Sequence, residues 1–106
     1  MKPTELQSRL EAEIMEVEWD ALQPHHARDA LIYVDPVLPL VKAAMAVSLD
    51  FAEDVKGWME AGTVRKVTEA LAATWREDHR FRFLIVQPFV LIQPAPSAAL
   101  PSAEVS

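Results

Sequence analysis

The amino-acid sequence predicts an α+β domain, with about five helices packed on a small, mostly antiparallel sheet. Three observations carry this prediction. Apolar residues recur at helical spacing through most of residues 4–75, in segments bounded by capping residues. Two runs rich in β-formers, "ALIYV" at 30–34 and "TVRKV" at 63–67, interrupt those segments. The most apolar stretch, "FRFLIVQPFVLIQ" at 81–93, comes last and carries a proline in its middle.

The first helix opens at Pro3 and Thr4, with Thr4 as N-cap and Gln7 completing a capping box. Leu6, Leu10, Ile14 and Val17 form its apolar stripe, and Glu5, Glu11, Glu13, Glu16 and Glu18 its solvated face. "EWDALQPHHARDA" reads as a shorter second helix in which Trp19 and Leu22 share a face and Pro24 sits in the first turn. "ALIYV" is a strand ended by Asp35–Pro36. Residues 38–48 form a helix that is apolar almost all round and therefore buried. Asp50 then caps another helix, Glu53 closes its box, and Phe51, Val55, Trp58 and Met59 make its stripe. Gly62 ends it, where a left-handed residue is wanted. "TVRKV" is a strand, and Thr68 caps a last helix carrying Leu71 and Trp75.

The closing ribbon reads as two short strands, 81–86 and 89–93. Apolar residues on both faces of the first mark a strand covered on two sides. A two-residue hairpin is expected to contain Gly or Asn, and Gln87–Pro88 has neither. The second strand is therefore expected to leave in a new direction and expose an unpaired edge. Residues 1–93 form the domain, and the Pro-, Ala- and Ser-rich residues 94–106 read as a disordered tail.

Composition excludes several classes. The chain has 106 residues, enough for one domain, and 51% of them are hydrophobic. Its formal charge of −6 argues against nucleic acid and anionic membranes as partners. It has no cysteine, so it has neither disulfides nor thiolate chemistry. The N-terminal stretch lacks the apolar run of a signal peptide, and no segment is long enough to span a membrane. A cytoplasmic protein is expected.

Trp19 with Leu22, "LIYVDP", "LVKAAMAV", Asp50, "WMEAG" at 58–62 and "IVQPFVLIQ" at 85–93 occur in order across residues 4–93. This pattern resembles the family called domain of unknown function 2288, small uncharacterised bacterial proteins. The closing "IVQPFVLIQ" is its most specific part. The chain departs from the family at Asp29, where the family has glycine, and at Pro39, where it has aspartate. The resemblance implies a small prokaryotic protein, and it transfers no activity, cofactor or catalytic residue.

No constellation in the sequence points to catalysis. His25 and His26 are adjacent, so on a helix their side chains diverge by about 100°. Together with the distant His79 they would reach the three ligands of a zinc site only through tertiary folding. No nucleophile elbow is present, and two glycines, Gly57 and Gly62, cannot build a phosphate-cradling loop. Glu53–Asp54 and Glu77–Asp78 read as solvated charges. No cofactor and no metal are expected.

The element order looks like a winged helix. Residues 45–64 also look like the helix-turn-helix of small excisionase-type DNA binders, with Val55, Trp58 and Gly62 in matching places. Met45 and Leu49–Asp50 depart from that motif. The would-be recognition helix sets Glu53, Asp54 and Glu60 against Lys56, the wrong sign for phosphates. Residues 63–82 are the basic segment, so a nucleic-acid reading would rest on Arg65, Lys66, Arg80 and Arg82.

The favoured reading is a non-catalytic protein-interaction module, binding an unknown protein or a second copy of itself through the apolar strands 81–93 and their open edge. Its candidate contact residues are Trp58, Trp75, Phe81, Phe83, Phe89 and Leu91, with both tryptophans expected on one face with Phe81 and Phe83.

Overall fold

The computed structural model describes residues 3–95 of the chain. Within them the order is α1 (Pro3–Glu13), β1 (Met15–Glu18), α2 (Trp19–Ala27), β2 (Leu31–Val34) and α3 (Leu40–Ser48). Then follow α4 (Ala52–Ala61), β3 (Val64–Lys66), α5 (Glu69–Ala72), β4 (Arg80–Val86) and β5 (Phe89–Pro94). The five strands form one mixed sheet in the order β1-β4-β5-β2-β3. Three of its pairings are antiparallel, and β2 runs parallel to β5. The α+β class therefore holds. The winged-helix order does not translate into that fold, because β5 returns to the middle of the sheet beside β2 instead of forming a peripheral wing.

The position of the closing ribbon corrects the central sequence expectation. β4 and β5 fold straight back on each other, from Val86↔Phe89 at the turn to Phe81↔Pro94. The Gln87–Pro88 peptide at this turn is cis, and the turn closes without glycine or asparagine. β5 is then flanked by β4 and β2, while β4 has β1 along Arg80–Phe83. The ribbon is the middle of the sheet, and the edges are the short strands β1 and β3.

Alternation along the strands divides the core in two. One face carries Val34, Val64, Leu84, Val86 and Leu91 against α1 and α3, through Leu6, Leu10, Leu40, Ala43 and Ala44. The other carries Leu31, Phe81, Val90 and Ile92 beneath Trp19 and Leu22 of α2. Apolar residues on both faces of β4 thus meet the two cores, as its sequence implied, although Ile85 stays exposed, and β5 is likewise covered on both faces at Val90, Leu91 and Ile92.

Several boundaries differ from the sequence reading. Ile14 and Val17 do not extend α1: residues 15–18, "MEVE", pair as β1 with β4, and Val17 packs under the second core. Pro24 lies inside α2, well past its first turn. The amides of Trp19 and Asp20 at its start donate to the carbonyls of His79 and Glu77, at 2.8 and 3.1 Å. Asp50 caps nothing; it adopts φ 60° and closes α3. Its amide donates to Val47 O and that of Phe51 to Ala46 O, at 3.3 and 2.8 Å. Asp29 ends α2 in the same left-handed conformation, and Gly62 ends α4 at φ 82°. The helix boundary near Asp29 is therefore kept without the family's glycine, since Asp tolerates this region better than most side chains. α3 likewise starts after Pro39 without a side-chain cap. Thr68 does cap α5, accepting from the Leu71 amide at 3.1 Å, but Trp75 lies beyond that short helix. Order continues past residue 93: Pro94 belongs to β5, and the buried Ala95 donates to Arg80 O at 3.1 Å. The remainder of the expected disordered tail lies outside the described residues.

Candidate functional site: an apolar groove beside α4

α4 has a clear apolar stripe, yet none of its residues is buried. It packs on α3 and on β3, a strand of three residues. That is too little surface to cover the stripe. Val55 and Trp58 are half-buried, while Phe51 and Met59 keep 49% and 48% of their surface exposed. α4 therefore stands as a ridge with a depression on each flank.

The larger depression is a groove of about 790 Å³ between α4 and the sheet. Val55 and Met59 form one wall, with Phe51 and Val47 at the end where α3 turns into α4. Ile32, Val64, Leu91 and Phe89 form the floor, drawn from β2, β3 and β5. Its charged side chains are Asp50, Lys56, Glu60 and Lys66. The smaller depression, of about 400 Å³, lies between α1, α3 and α4, with Trp58 and Met45 in its lining. A volume of several hundred Å³ with a mainly apolar lining suits binding of an apolar group. Among the described residues the lining contains no histidine, serine or threonine.

The six contact residues expected from sequence do not form one surface. Phe81 and Leu91 are 0% and 1% exposed and hold the core. Trp75 and Phe83 do lie on the α2 face with Phe81, where Trp75 meets Phe81 and Trp19 edge-on at 4.7 and 4.8 Å. Trp58 is on the opposite face, packed against the first core. The expectation that both tryptophans share a face is therefore corrected. Of the six, Phe89 and Leu91 reach the groove, Phe89 at 37% exposure. The sequence reading missed Phe51 and Met59, because a stripe at helical spacing normally faces a core. The brevity of "VRK" beside that stripe is the signal that the cover is incomplete.

The four basic residues of the nucleic-acid reading are dispersed. Arg65 and Lys66 lie on β3, and Arg80 and Arg82 on β4, three strand positions away, or about 14 Å. Arg65 faces Tyr33 with its guanidinium 5.4 Å from the ring centre, on the α2 side of the sheet. Lys66 pairs with Asp29 at 2.6 Å, and Arg80 with Glu16 at 3.5 Å. Arg82 donates to Gln93 Oε1 at 3.3 Å. Gln93 is 3% exposed, and its amide donates to Leu38 O at 3.0 Å, tying the loop before α3 to the sheet.

The three histidines stand in different surroundings. His25 contacts Arg28 at 3.0 Å. His26 and His79 flank the aromatic cluster of Trp19, Trp75 and Phe81, and their Nε2 atoms are buried without a hydrogen-bond partner. Glu69 Oε2 stands 3.3 Å from His26 Nε2, within ion-pair distance but without hydrogen-bond alignment. Among the described residues no three His, Asp or Glu side chains come together as a metal site. No helix among them is long and apolar enough to cross a membrane.

Fold and groove define a small α+β protein with an incompletely covered helix. The family model described as protein of unknown function (DUF2288) matches residues 5–94, and the chain belongs to that family. It is similar to the protein of the NMR solution structure of PA1075 from Pseudomonas aeruginosa, at 37% identity, 94% coverage of each chain and a TM-score of 0.76. Comparison with curated proteins gives no match.

Proposed function

We propose that the chain is a non-catalytic protein-interaction module of the cytoplasm that binds through the groove beside α4. The reading no longer rests on an edge of the 81–93 ribbon, since β1 pairs with Arg80–Phe83 and β2 with Val90–Ile92. It uses the face of that ribbon, where Phe89 and Leu91 form part of the groove floor. The observation that carries it is a helix with a well-formed apolar stripe and no buried residue, next to a depression of about 790 Å³. Large apolar side chains grouped at a concave surface favour association with another apolar surface.

Capture from a bacterial extract tests this with three baits: the natural chain, the double variant Phe51→Ser/Met59→Ser, and Ile85→Ser. Ile85 is 45% exposed and does not line the groove, so its variant controls for general loss of apolar surface. A partner, or a second copy of the chain, is expected on the natural and Ile85→Ser baits and absent from the double variant. No partner on any bait, or equal retention on all three, overturns the proposal.

A further inference from the structure

The groove is apolar within, but the helical layer above it is acidic. α4 sets Glu53, Asp54 and Glu60 against Lys56, and Asp50 precedes it. Asp50 and Glu60 stand on the groove rim itself together with Lys56 and Lys66, so the acidic excess comes from Glu53 and Asp54 beside them and from the pairing of Lys66 with Asp29. The Arg and Lys ion pairs of the described residues join Arg9 to Glu13, Lys66 to Asp29, Arg76 to Asp78 and Arg80 to Glu16. None of them neutralises these four carboxylates. The nearest cation on the far rim, Lys66, is engaged by Asp29 at 2.6 Å. Counting Asp50 with α1, α3 and α4, this side of the molecule carries seven carboxylates and three basic residues.

From this we infer that the groove takes a basic amphipathic helix: a protein segment with leucine-like side chains in one stripe and Lys or Arg flanking it. The inference rests on the groove being the binding surface, and it adds the chemistry of the occupant. The ten residues of α4 run about 15 Å, the length of about three turns of a partner helix. Such a helix presents apolar side chains at i, i+3 or i+4, and i+7, which is how helices engage grooves. Its flanking cations would face Asp50 and Glu60, with Glu53 and Asp54 adding to the field. The same carboxylates repel an anionic lipid or a nucleic-acid backbone, so charge selects the basic peptide from the other apolar or extended ligands.

Two fluorescein-labelled peptides of about 14 residues decide the matter. They share one leucine stripe, and the remaining positions are lysine in one and glutamate in the other. Anisotropy is read at low salt and at about 0.5 M salt, where surface attraction is screened. The lysine peptide is expected to bind about tenfold or more tightly than the glutamate peptide at low salt, and the gap to narrow at high salt. The surface variant Asp50→Lys/Glu53→Lys/Asp54→Lys/Glu60→Lys is expected to reverse the preference. Met59→Ser/Phe89→Ser is expected to weaken both peptides. Equal binding of the two peptides, lost in the Met59→Ser/Phe89→Ser variant, overturns the charge inference and leaves the groove reading in place. Lysine-peptide binding that ignores that variant shows general attraction to acid and overturns the inference. Binding of neither peptide overturns the inference and the groove reading together.

Discussion

Tyr33 is the single tyrosine of the chain, and its neighbours on the sheet decide how it titrates. It stacks on Trp75 at 5.9 Å and lies under Arg65. Burial raises its pKa above the ordinary 10.0, Asp35 adds to the rise, and Arg65 opposes it. The folded chain therefore holds the phenol proton more tightly than the unfolded chain does. That contribution to stability is whole below pH 10.0 and is lost as pH rises through the folded pKa. Ultraviolet titration of tyrosinate is expected to give a midpoint above 10.0, moving further up in Arg65→Gln and down in Asp35→Asn. A midpoint at or below the ordinary value contradicts the placement of Tyr33. At this scale the sequence is legible where chemistry is local. Thr68 caps α5 as its type and position suggest. Asp50 misleads because one short carboxylate suits both an N-cap and a left-handed helix end, and only the bonds from Asp50 and Phe51 back to α3 distinguish them.

Among the elements, α4 departs furthest from the sequence reading. Its stripe satisfies the helical period, but period does not say how much surface the rest of the fold provides. Gly57 lies in its interior, and a Cβ added there would meet nothing within 4 Å. Gly57→Ala is therefore expected to stabilise the chain by about 1 kcal/mol, through helix propensity alone. Amide exchange in α4 is expected to slow relative to that in β5. Urea denaturation and hydrogen exchange check both; a fall in stability contradicts the open environment assigned to α4. β1 shows a different ambiguity. Ile14 and Val17 continue a helical stripe, while "MEVE" also alternates with the period of a strand, and pairing with β4 settles it. What the sequence does not show about α2 is how its first amides are satisfied, by carbonyls some sixty residues away at Glu77 and His79.

For the molecule as a whole, the sequence located the spine but misplaced its edges. Its apolar pattern called for two covered faces along 81–86, and the two cores cover Phe81, Leu84 and Val86 while Ile85 stays exposed. The pattern carried no information on strand neighbours, so the parallel pairing of β5 with β2 was not foreseen. Exposed apolar surface lies at the groove residues Phe51, Met59 and Phe89, and elsewhere at Met15, Val37, Leu49 and Ile85. Charge is likewise uneven, with a net acidic excess on the α1, α3 and α4 side and the basic residues of β3 and β4 dispersed across the sheet. The central claim is that contact with other proteins is made at the groove. Methyl chemical shifts recorded while a captured partner is added test it most directly. The account predicts shifts centred on Met59, Val55, Val47 and Leu91; shifts centred instead on Met15 and Ile85, with the groove methyls unmoved, would contradict it.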